Sequence, residues 1–203
     1  MTYITATDIK SFLAIDSNTD NALLESLAGR AQRYIELWTG RVFEASADSV
    51  KTFDAVADVY PDETGALTLL LWGKRYDLCA ITSVVNGDGT TVASSQYVTE
   101  PRHETPYQGL RLKRNATASW TYTDAPENAI AITGKWTYSA SAPADVIQAT
   151  LDLAVYIYRR RGVEGAGLDR VVISPSGVTM APPGLPETVK GAVKAYRRWW
   201  RGF

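Results

Sequence analysis

Few residues of this chain have side chains suited to catalysis or to metal binding. Its 203 residues include one histidine, His103, and one cysteine, Cys79. A zinc site of His and Cys ligands needs about four such residues, so the composition disfavours it. A hydrolase triad would have to use His103, and no Gly-x-Ser-x-Gly elbow supplies a nucleophile. Cys79 lies between Leu78 and Ala80 and is expected to be a small buried side chain. We therefore expect no catalytic residue, no cofactor and no metal.

The strongest chemical pattern is a basic stripe with aromatic residues near the C-terminus. Cationic side chains recur with helical spacing at Lys190, Lys194, Arg197 and Arg201. Three large aromatic residues accompany them: Trp199, Trp200 and Phe203. Because Arg and Trp dominate binding hot spots, the pattern predicts a helix that docks on a protein partner. Two alternatives stay open: the helix packs on its own subunit, or it contacts nucleic acid or a membrane surface.

Two further polar clusters have simpler explanations. Arg159, Arg160 and Arg161 end a predicted helix, where cations interact favourably with the helix dipole, although one of them can instead face a channel or an acidic partner. The loop from Asn86 to Gly89 contains Asn-Gly and Asp-Gly but lacks the further acidic ligands that calcium requires. Since both dipeptides tolerate a positive φ, we interpret this loop as the turn of a β-hairpin.

Helical periodicity and capping residues indicate where these side chains lie. A first helix is predicted from the N-cap Thr7 to Ile15, and a second from Asp20 to Gly40. A last helix opens at Pro186, since proline suits the first turn. The apolar face of the second helix follows the 3.6-residue period: Leu23, Leu24, Leu27, Ala31, Tyr34, Ile35 and Trp38.

A third helix, 144–161, is apolar on nearly every side and must therefore be covered on every side. We expect part of that cover to come from a neighbouring subunit, and complete burial within one chain is the alternative. The residues predicted for this subunit interface are Leu151, Leu153, Val155 and Ile157.

Between residues 49 and 138 the apolar period changes to two, which is typical of β-strands. Residues 162–186 hold five glycines and four prolines, which predicts an extended arm. Its residues 171–180 can form a small hairpin or add a strand to the edge of another sheet. The predicted fold class is α+β, with an N-terminal helical hairpin and C-terminal helices framing a central antiparallel β block. The predicted strands are 50–53, 67–71, 80–85, 96–99, 110–113 and 129–138. One domain, 1–203, would comprise N-terminal helices (1–47), the β block (48–142), a core helix (143–161), the arm (162–186) and a C-terminal helix (187–203).

Charge is distributed unevenly although the net charge is only −1. Residues 1–100 have 7 basic and 14 acidic side chains, whereas residues 101–203 have 14 basic and 8 acidic ones. Such asymmetry can orient a chain between unlike partners or between copies of itself. The first residues lack a basic region followed by an apolar run, so no secretory signal is expected. A single cysteine suits a reducing compartment.

Three segments together resemble a known family. The first contains Thr7-Asp-Ile-Lys-Ser-Phe-Leu13 and ends in Thr39-Gly-Arg41. The second leads from Gly134-Lys-Trp-Thr-Tyr138 through Pro143 to Tyr158, and the third joins Leu185-Pro186 to Tyr196-Arg197. On these segments the chain resembles the head–tail connector family of tailed bacteriophages, also called adaptor or head-completion proteins. Its long β block is similar to that of the longer form of this family.

The resemblance implies a structural virion protein of the phage neck, without catalytic residues. It implies a ring, expected to be twelvefold, that binds beneath the portal, extends the DNA channel and joins head to tail. The implied partners are further copies of the chain, the portal protein, and the next neck protein, a stopper or tail-completion protein. Double-stranded DNA would pass non-specifically. If the basic residues Arg159–Arg161 face this channel, they would meet its phosphates. The implied location is the virion neck, with assembly in the host cytoplasm and no membrane partner.

Two rival functions belong to other classes. A stand-alone β binding module would recognise a protein or a glycan through aromatic side chains, and the β block offers Trp72, Trp120 and Trp136 for such a surface. A hydrolase would have to act through His103. Tryptophan fluorescence that responds to a ligand would favour the first, and loss of turnover on changing His103 would favour the second.

Overall fold

The computed structural model describes residues 2–45, 47–63, 65–71, 76–160, 170–174, 177–181 and 185–198. These residues form two compact units. The β unit is Arg41–Ala142, and the helical unit combines Thr2–Gly40 with the chain that follows Ala142. Helices at both ends of the chain thus frame a central β block in sequence, which confirms the predicted α+β class.

The β unit contains two antiparallel sheets. Its strands are β1 (Ser49–Phe53), β2 (Val59–Pro61), β3 (Leu67–Leu70), β4 (Ala80–Val85), β5 (Tyr97–Glu100), β6 (Gly109–Leu112) and β7 (Ile130–Lys135). One sheet has the strand order β1–β7–β4 and the other the order β2–β3–β6–β5. The six predicted strands are confirmed to within a few residues. β2 was missed, because three residues with Pro61 at their end are too few to show a period of two.

The alternation of side chains along each strand creates the core of the β unit. On β7, Ile130 and Ile132 are buried while Ala131 and Thr133 are less so, as expected where one face of a sheet packs inward. Gly134 is the next buried residue on this face. A Cβ at this position would lie 2.1 Å from the carbonyl oxygen of Ala80, so β4 and β7 could not pair this closely with a larger residue there. The largest buried side chains of this core include Phe53, Leu69, Leu71, Leu78, Leu110, Ile130 and Ile132.

The Asn86–Gly89 loop is the tight turn that the sequence predicts. The Asn86 amide donates to the Thr90 carbonyl at 2.9 Å, and Gly89 adopts a φ of +82°. Val85 and Thr91 then form a single antiparallel bridge, so the chain after the turn pairs only briefly with β4.

The helical unit contains α1 (Ala6–Leu13), α2 (Asn21–Thr39), α3 (Ala144–Arg160) and α4 (Glu187–Val193), followed by a short 3-10 helix (Lys194–Tyr196). β8 (Arg170–Ser174) and β9 (Gly177–Ala181) form an antiparallel hairpin, which is one of the two arrangements predicted for this part of the arm. α2 packs against both α1 and α3, and α3 packs against α4. Within the described residues, no helix combines the length and the apolarity needed to cross a membrane.

The helix ends differ from the sequence prediction at two points. The N-cap of α1 is Thr5 rather than Thr7: its side chain accepts from the Asp8 amide, and Asp8 in turn accepts from the Thr5 amide at 2.7 Å. Local sequence did not separate the two threonines, because either can cap a helix. Asp20 precedes α2 as predicted but makes no capping bond there, and its carboxylate accepts from the Tyr158 hydroxyl at 2.9 Å. Gly40, with a φ of +68°, ends α2 as predicted.

Candidate functional site

The basic C-terminal segment is partly packed on its own unit. Val189 and Val193 of α4 are buried, and α4 packs against α3. The amide of Arg198 donates to the carbonyl oxygen of Thr39, the last residue of α2, at 3.0 Å. One face of this helix is therefore packed on its own subunit, as in one of the two alternatives left open by the sequence.

The basic stripe does not run along one continuous helix, contrary to the sequence prediction. α4 ends at Val193, a 3-10 turn follows, and Arg197 has extended backbone angles. Lys194 is exposed, Lys190 forms an ion pair with Glu187 at 2.7 Å, and the Arg197 guanidinium lies over the Trp38 ring, 5.3 Å from its centroid. Trp199, Trp200, Arg201 and Phe203 lie outside the described residues.

The four apolar residues predicted for a subunit interface on α3 differ in exposure. Leu153 and Val155 are buried within the chain, whereas Leu151 and Ile157 are partly exposed. Ile147, one turn before Leu151, is exposed over 37% of its surface. Within the described part of the chain, α3 is therefore not covered on every side, and its partly exposed side chains are the ones that a neighbouring subunit can reach.

The arginines at the end of α3 also differ in exposure. Arg159 is exposed. Arg160 donates a hydrogen bond to the Tyr156 hydroxyl, and its guanidinium lies over the same ring. Arg161 lies outside the described residues. Only Arg159 therefore has a described side chain that is freely accessible to DNA or to a partner.

The outer face of α2 is an apolar surface that the sequence prediction missed. Leu23 and Tyr34 were assigned to the buried face, yet they are exposed over 39% and 44% of their surfaces. Leu37 is exposed over 62%. Periodicity did not reveal this, because Leu23 and Tyr34 lie at the margin of the buried face, within reach of either environment. The spacing of these residues could have indicated the surface. Leu23, Tyr34 and Leu37 stand at i, i+11 and i+14, and these positions lie on one side of a helix.

Two of the three tryptophans that the rival hypothesis names, Trp120 and Trp136, take part in packing within the β unit. Trp120 is buried in the core, and its indole nitrogen donates to the Leu67 carbonyl at 3.4 Å. Trp136 packs against Phe53 and Tyr76, with ring centroids 5.7 and 5.5 Å away. Trp72 lies outside the described residues. The two described tryptophans therefore act in packing, because large rings are the main apolar content of such a core.

His103 lies in a shallow groove of about 430 Å³, lined also by Ser94, Arg102 and Tyr107. Among the described residues, no hydrogen bond joins His103 to Ser94, and the only acid paired with Arg102 is Glu100, at 3.7 Å. A nucleophile aligned with its base, which a hydrolase needs, is thus not built here. Nowhere in the described part of the chain do three or more His, Cys, Asp or Glu side chains group as metal ligands would.

Three perturbed groups of the β unit have structural causes. Burial raises the pKa of the Cys79 thiol, as expected for the small buried side chain that the sequence predicts. Burial likewise raises the pKa of Tyr97. The hydroxyl of Thr121 and the amide of Thr90 donate to Asp88 and lower its pKa, so the Asp88 carboxylate stabilises the turn.

The fold resembles chains in two solved structures of gene transfer agent particles. No family model and no curated protein sequence matches this chain. One similar chain comes from the neck of an empty gene transfer agent particle computed with C6 symmetry, with a TM-score of 0.56, 17% identity, and coverage of 98% of this chain and 93% of that one. Another comes from the virion of a native gene transfer agent particle, with a TM-score of 0.51, 18% identity and the same coverage. The chain therefore has the fold of a protein found in a particle neck, in agreement with its resemblance to head–tail connectors.

Proposed function

We propose that this protein is a structural component of a virion neck, where a ring of its copies lies beneath the portal, extends the DNA channel and joins head to tail. One observation carries the proposal: the fold matches a chain of a particle neck over almost the full length of both chains. An agreement of this extent includes the helices and the β block together, and so it is not a match to one common motif. The role is one of contact and needs no catalytic residue.

The ring is proposed to have twelve subunits, as the connector resemblance implies. The similar neck structure was computed with C6 symmetry. Twelve copies are compatible with a sixfold axis, and cyclic rings are built by repeating one interface between unlike surfaces of successive copies. Leu151 and Ile157 are proposed to contribute to that interface, since both are partly exposed on α3. Leu153 and Val155 support the interface from inside the chain.

Docking on the portal is proposed for the C-terminal basic segment. The buried valines of α4 hold this segment on the helical unit, while Lys194 and Arg197 remain exposed. Exposed cations speed the encounter with an acidic surface. Trp199, Trp200, Arg201 and Phe203 follow directly in the sequence and supply residue types that dominate hot spots. Lys190 takes part to a lesser degree because Glu187 already pairs with it.

The remaining partners follow from the position in the neck. The opposite side of the ring would receive a stopper or tail-completion protein, and double-stranded DNA would pass through the centre without base contacts. Arg159 is proposed to face this channel, with Arg160 and Arg161 beside it, and any phosphate contact would weaken with salt. The protein would assemble in the host cytoplasm and act in the virion neck, with no membrane partner.

The proposal is tested by producing particles without this protein. We expect heads that fill with DNA but carry no tail, since the surface that joins the two is missing. Expression of the wild-type chain in trans should restore tailed particles, which is the control for effects on neighbouring genes. A normal yield of tailed particles without the protein would refute the neck role.

A further inference from the structure

The exposed face of α2 carries apolar and basic side chains together. Leu23 and Tyr34 lie at the margin of the buried residues of this helix, and Leu37 lies farther around it. Arg30 and Arg33 are exposed on the same side. Among the described residues Arg30 has no ion-pair partner, and Arg33 pairs only with Glu36, at 3.6 Å. Single exposed apolar residues are ordinary, but three on one helix face indicate a surface that a partner covers.

The exposed face of α3 has the opposite charge. Ile147 and Leu151, four residues apart, form its apolar edge. Asp145 and Asp152 lie farther around the helix, at the other edge of its exposed side. Asp152 accepts from the Gln148 amide at 2.8 Å, and Asp145 accepts from the Tyr196 hydroxyl at 3.3 Å. Both carboxylates thus remain exposed and have only neutral neighbours among the described hydrogen-bond partners.

The other charged groups near these faces are accounted for. Glu25, at the margin of the α2 face, accepts from the Ala6 amide at 3.1 Å, and Glu36 accepts from the Gln32 amide at 2.9 Å. Arg159 lies on α3 two turns beyond Asp152, at the C-terminal end of the helix. The centre of the α2 face is therefore basic, and the first half of the α3 face is acidic.

The two faces cannot meet within one chain. α2 and α3 pack against each other through their buried sides, which include Leu24, Leu27 and Ala31 on α2 and Ala149 and Leu153 on α3. Their exposed faces therefore point outward from the helical unit in different directions. Complementary surfaces at separate places on one chain join successive copies head to tail, and such an interface closes into a ring when the rotation permits.

We propose that the α2 face of one copy binds the α3 face of the next copy. Arg30 and Arg33 then meet Asp145 and Asp152, while Leu37 and Tyr34 cover Ile147 and Leu151. This inference rests on the proposed ring and specifies the surfaces that form it. The apolar groups supply the contact, and the charges select the partner face, because like charges at an interface disfavour the wrong pairing.

Charge reversal on each face tests the proposal on the full chain. One variant carries Arg30→Glu and Arg33→Glu, and a second carries Asp145→Lys and Asp152→Lys. Each alone places like charges at the interface and should weaken self-association about tenfold or more. Mixing the two variants restores both pairings in alternating copies, and a chain with all four changes restores them in every copy. Mass photometry and sedimentation velocity at low ionic strength, where charges are least screened, report the assembly.

A matched control reverses two exposed cations of the β unit, Lys113→Glu with Arg114→Glu, and should assemble as the wild type does. Rescue in the mixture cannot come from a variant that fails to fold, so it separates interface loss from misfolding. A wild-type ring that is unchanged by either reversal, or whose loss the mixture does not rescue, overturns the inference and leaves the neck role standing. A wild-type chain that stays monomeric at every concentration overturns both the ring and the inference.

Discussion

Arg41 donates to Asp77 across 2.6 Å, from Nη1 to Oδ1, and both side chains are largely buried in the β unit. The same guanidinium lies over the ring of Tyr138, 5.2 Å from its centroid. Arg41 therefore ties the first residue of the β unit to Asp77, which precedes β4, and to Tyr138, which follows β7. An ion pair of this kind specifies one arrangement of three distant segments.

Replacing Arg41 by Ala should destabilise the protein by about 3 kcal/mol, because the buried Asp77 carboxylate loses its ion pair with Arg41. Thermal and urea unfolding measure the loss. Arg114→Ala is the matched control: Arg114 is exposed, so its removal should change the free energy of unfolding by about 0.5 kcal/mol or less. Equal effects of the two changes would show that the Arg41–Asp77 pair contributes nothing specific.

Gly134→Ala should be among the most damaging single changes in the β unit. A Cβ at this position would lie 2.1 Å from the Ala80 carbonyl oxygen, so β4 and β7 would have to separate. We expect a cost of about 3 kcal/mol, at the upper end for overpacking. Gly191→Ala in α4 is the control, since a Cβ added there would meet nothing within 4 Å and alanine favours helix by about 1 kcal/mol. The two variants should therefore move the melting temperature in opposite directions.

Asp88 should make the stability of the wild type depend on pH on the acid side. Its pKa is lowered in the folded state by the Thr121 hydroxyl and the Thr90 amide. A lowered pKa contributes stability above the unfolded value, about 3.9 for aspartate, and that stability is lost as the pH falls through the folded value. The melting temperature of Asp88→Asn should therefore lie below that of the wild type at neutral pH and approach it below about pH 4. A difference that stays constant with pH would assign the loss to geometry instead of charge.

Two neighbouring leucines of α3 should behave differently. Leu153→Asp places a charge in the interior of the helical unit and should lower the melting temperature strongly, because Leu153 is buried. Leu151→Asp changes a partly exposed residue, so the chain should stay folded while self-association weakens. Circular dichroism melting and sedimentation velocity separate the two effects. A folded, stable Leu153→Asp chain that fails to assemble would place Leu153 at the interface itself.

The C-terminal segment should have separable structural and docking roles. Deleting residues 187–203 removes the buried Val189 and Val193 and should lower the melting temperature. Lys194→Glu should leave the melting temperature unchanged and weaken binding to portal rings, measured by co-sedimentation. Lys113→Glu, the same charge change on the β unit, is the control for net charge and should bind as the wild type does. Equal binding by both variants would remove Lys194 from the docking surface.

Local sequence was sufficient for the features that depend on neighbouring residues. The apolar period of 3.6 located α2 and α3, and the period of two located six strands, because each pattern follows directly from backbone geometry. Two further predictions were correct, that Gly40 ends α2 and that Asn86–Gly89 forms a tight turn. Both rest on local sequence, because positive φ angles favour particular residue types. The α+β class follows from the order of these elements along the chain.

The tertiary structure decided which faces are covered and by what. Periodicity marks Leu23 and Tyr34 as apolar positions of α2, but only the placement of the other helices shows that they remain exposed. It marks the last helix as amphipathic, but only packing against α3 shows that Val189 and Val193 are buried while Lys194 is exposed. The tryptophans of the β block likewise fit a surface or a core equally well by sequence, and in the structure Trp120 lies in the core and Trp136 packs against it. Burial depends on residues far apart in sequence, and these come together only when the whole chain folds.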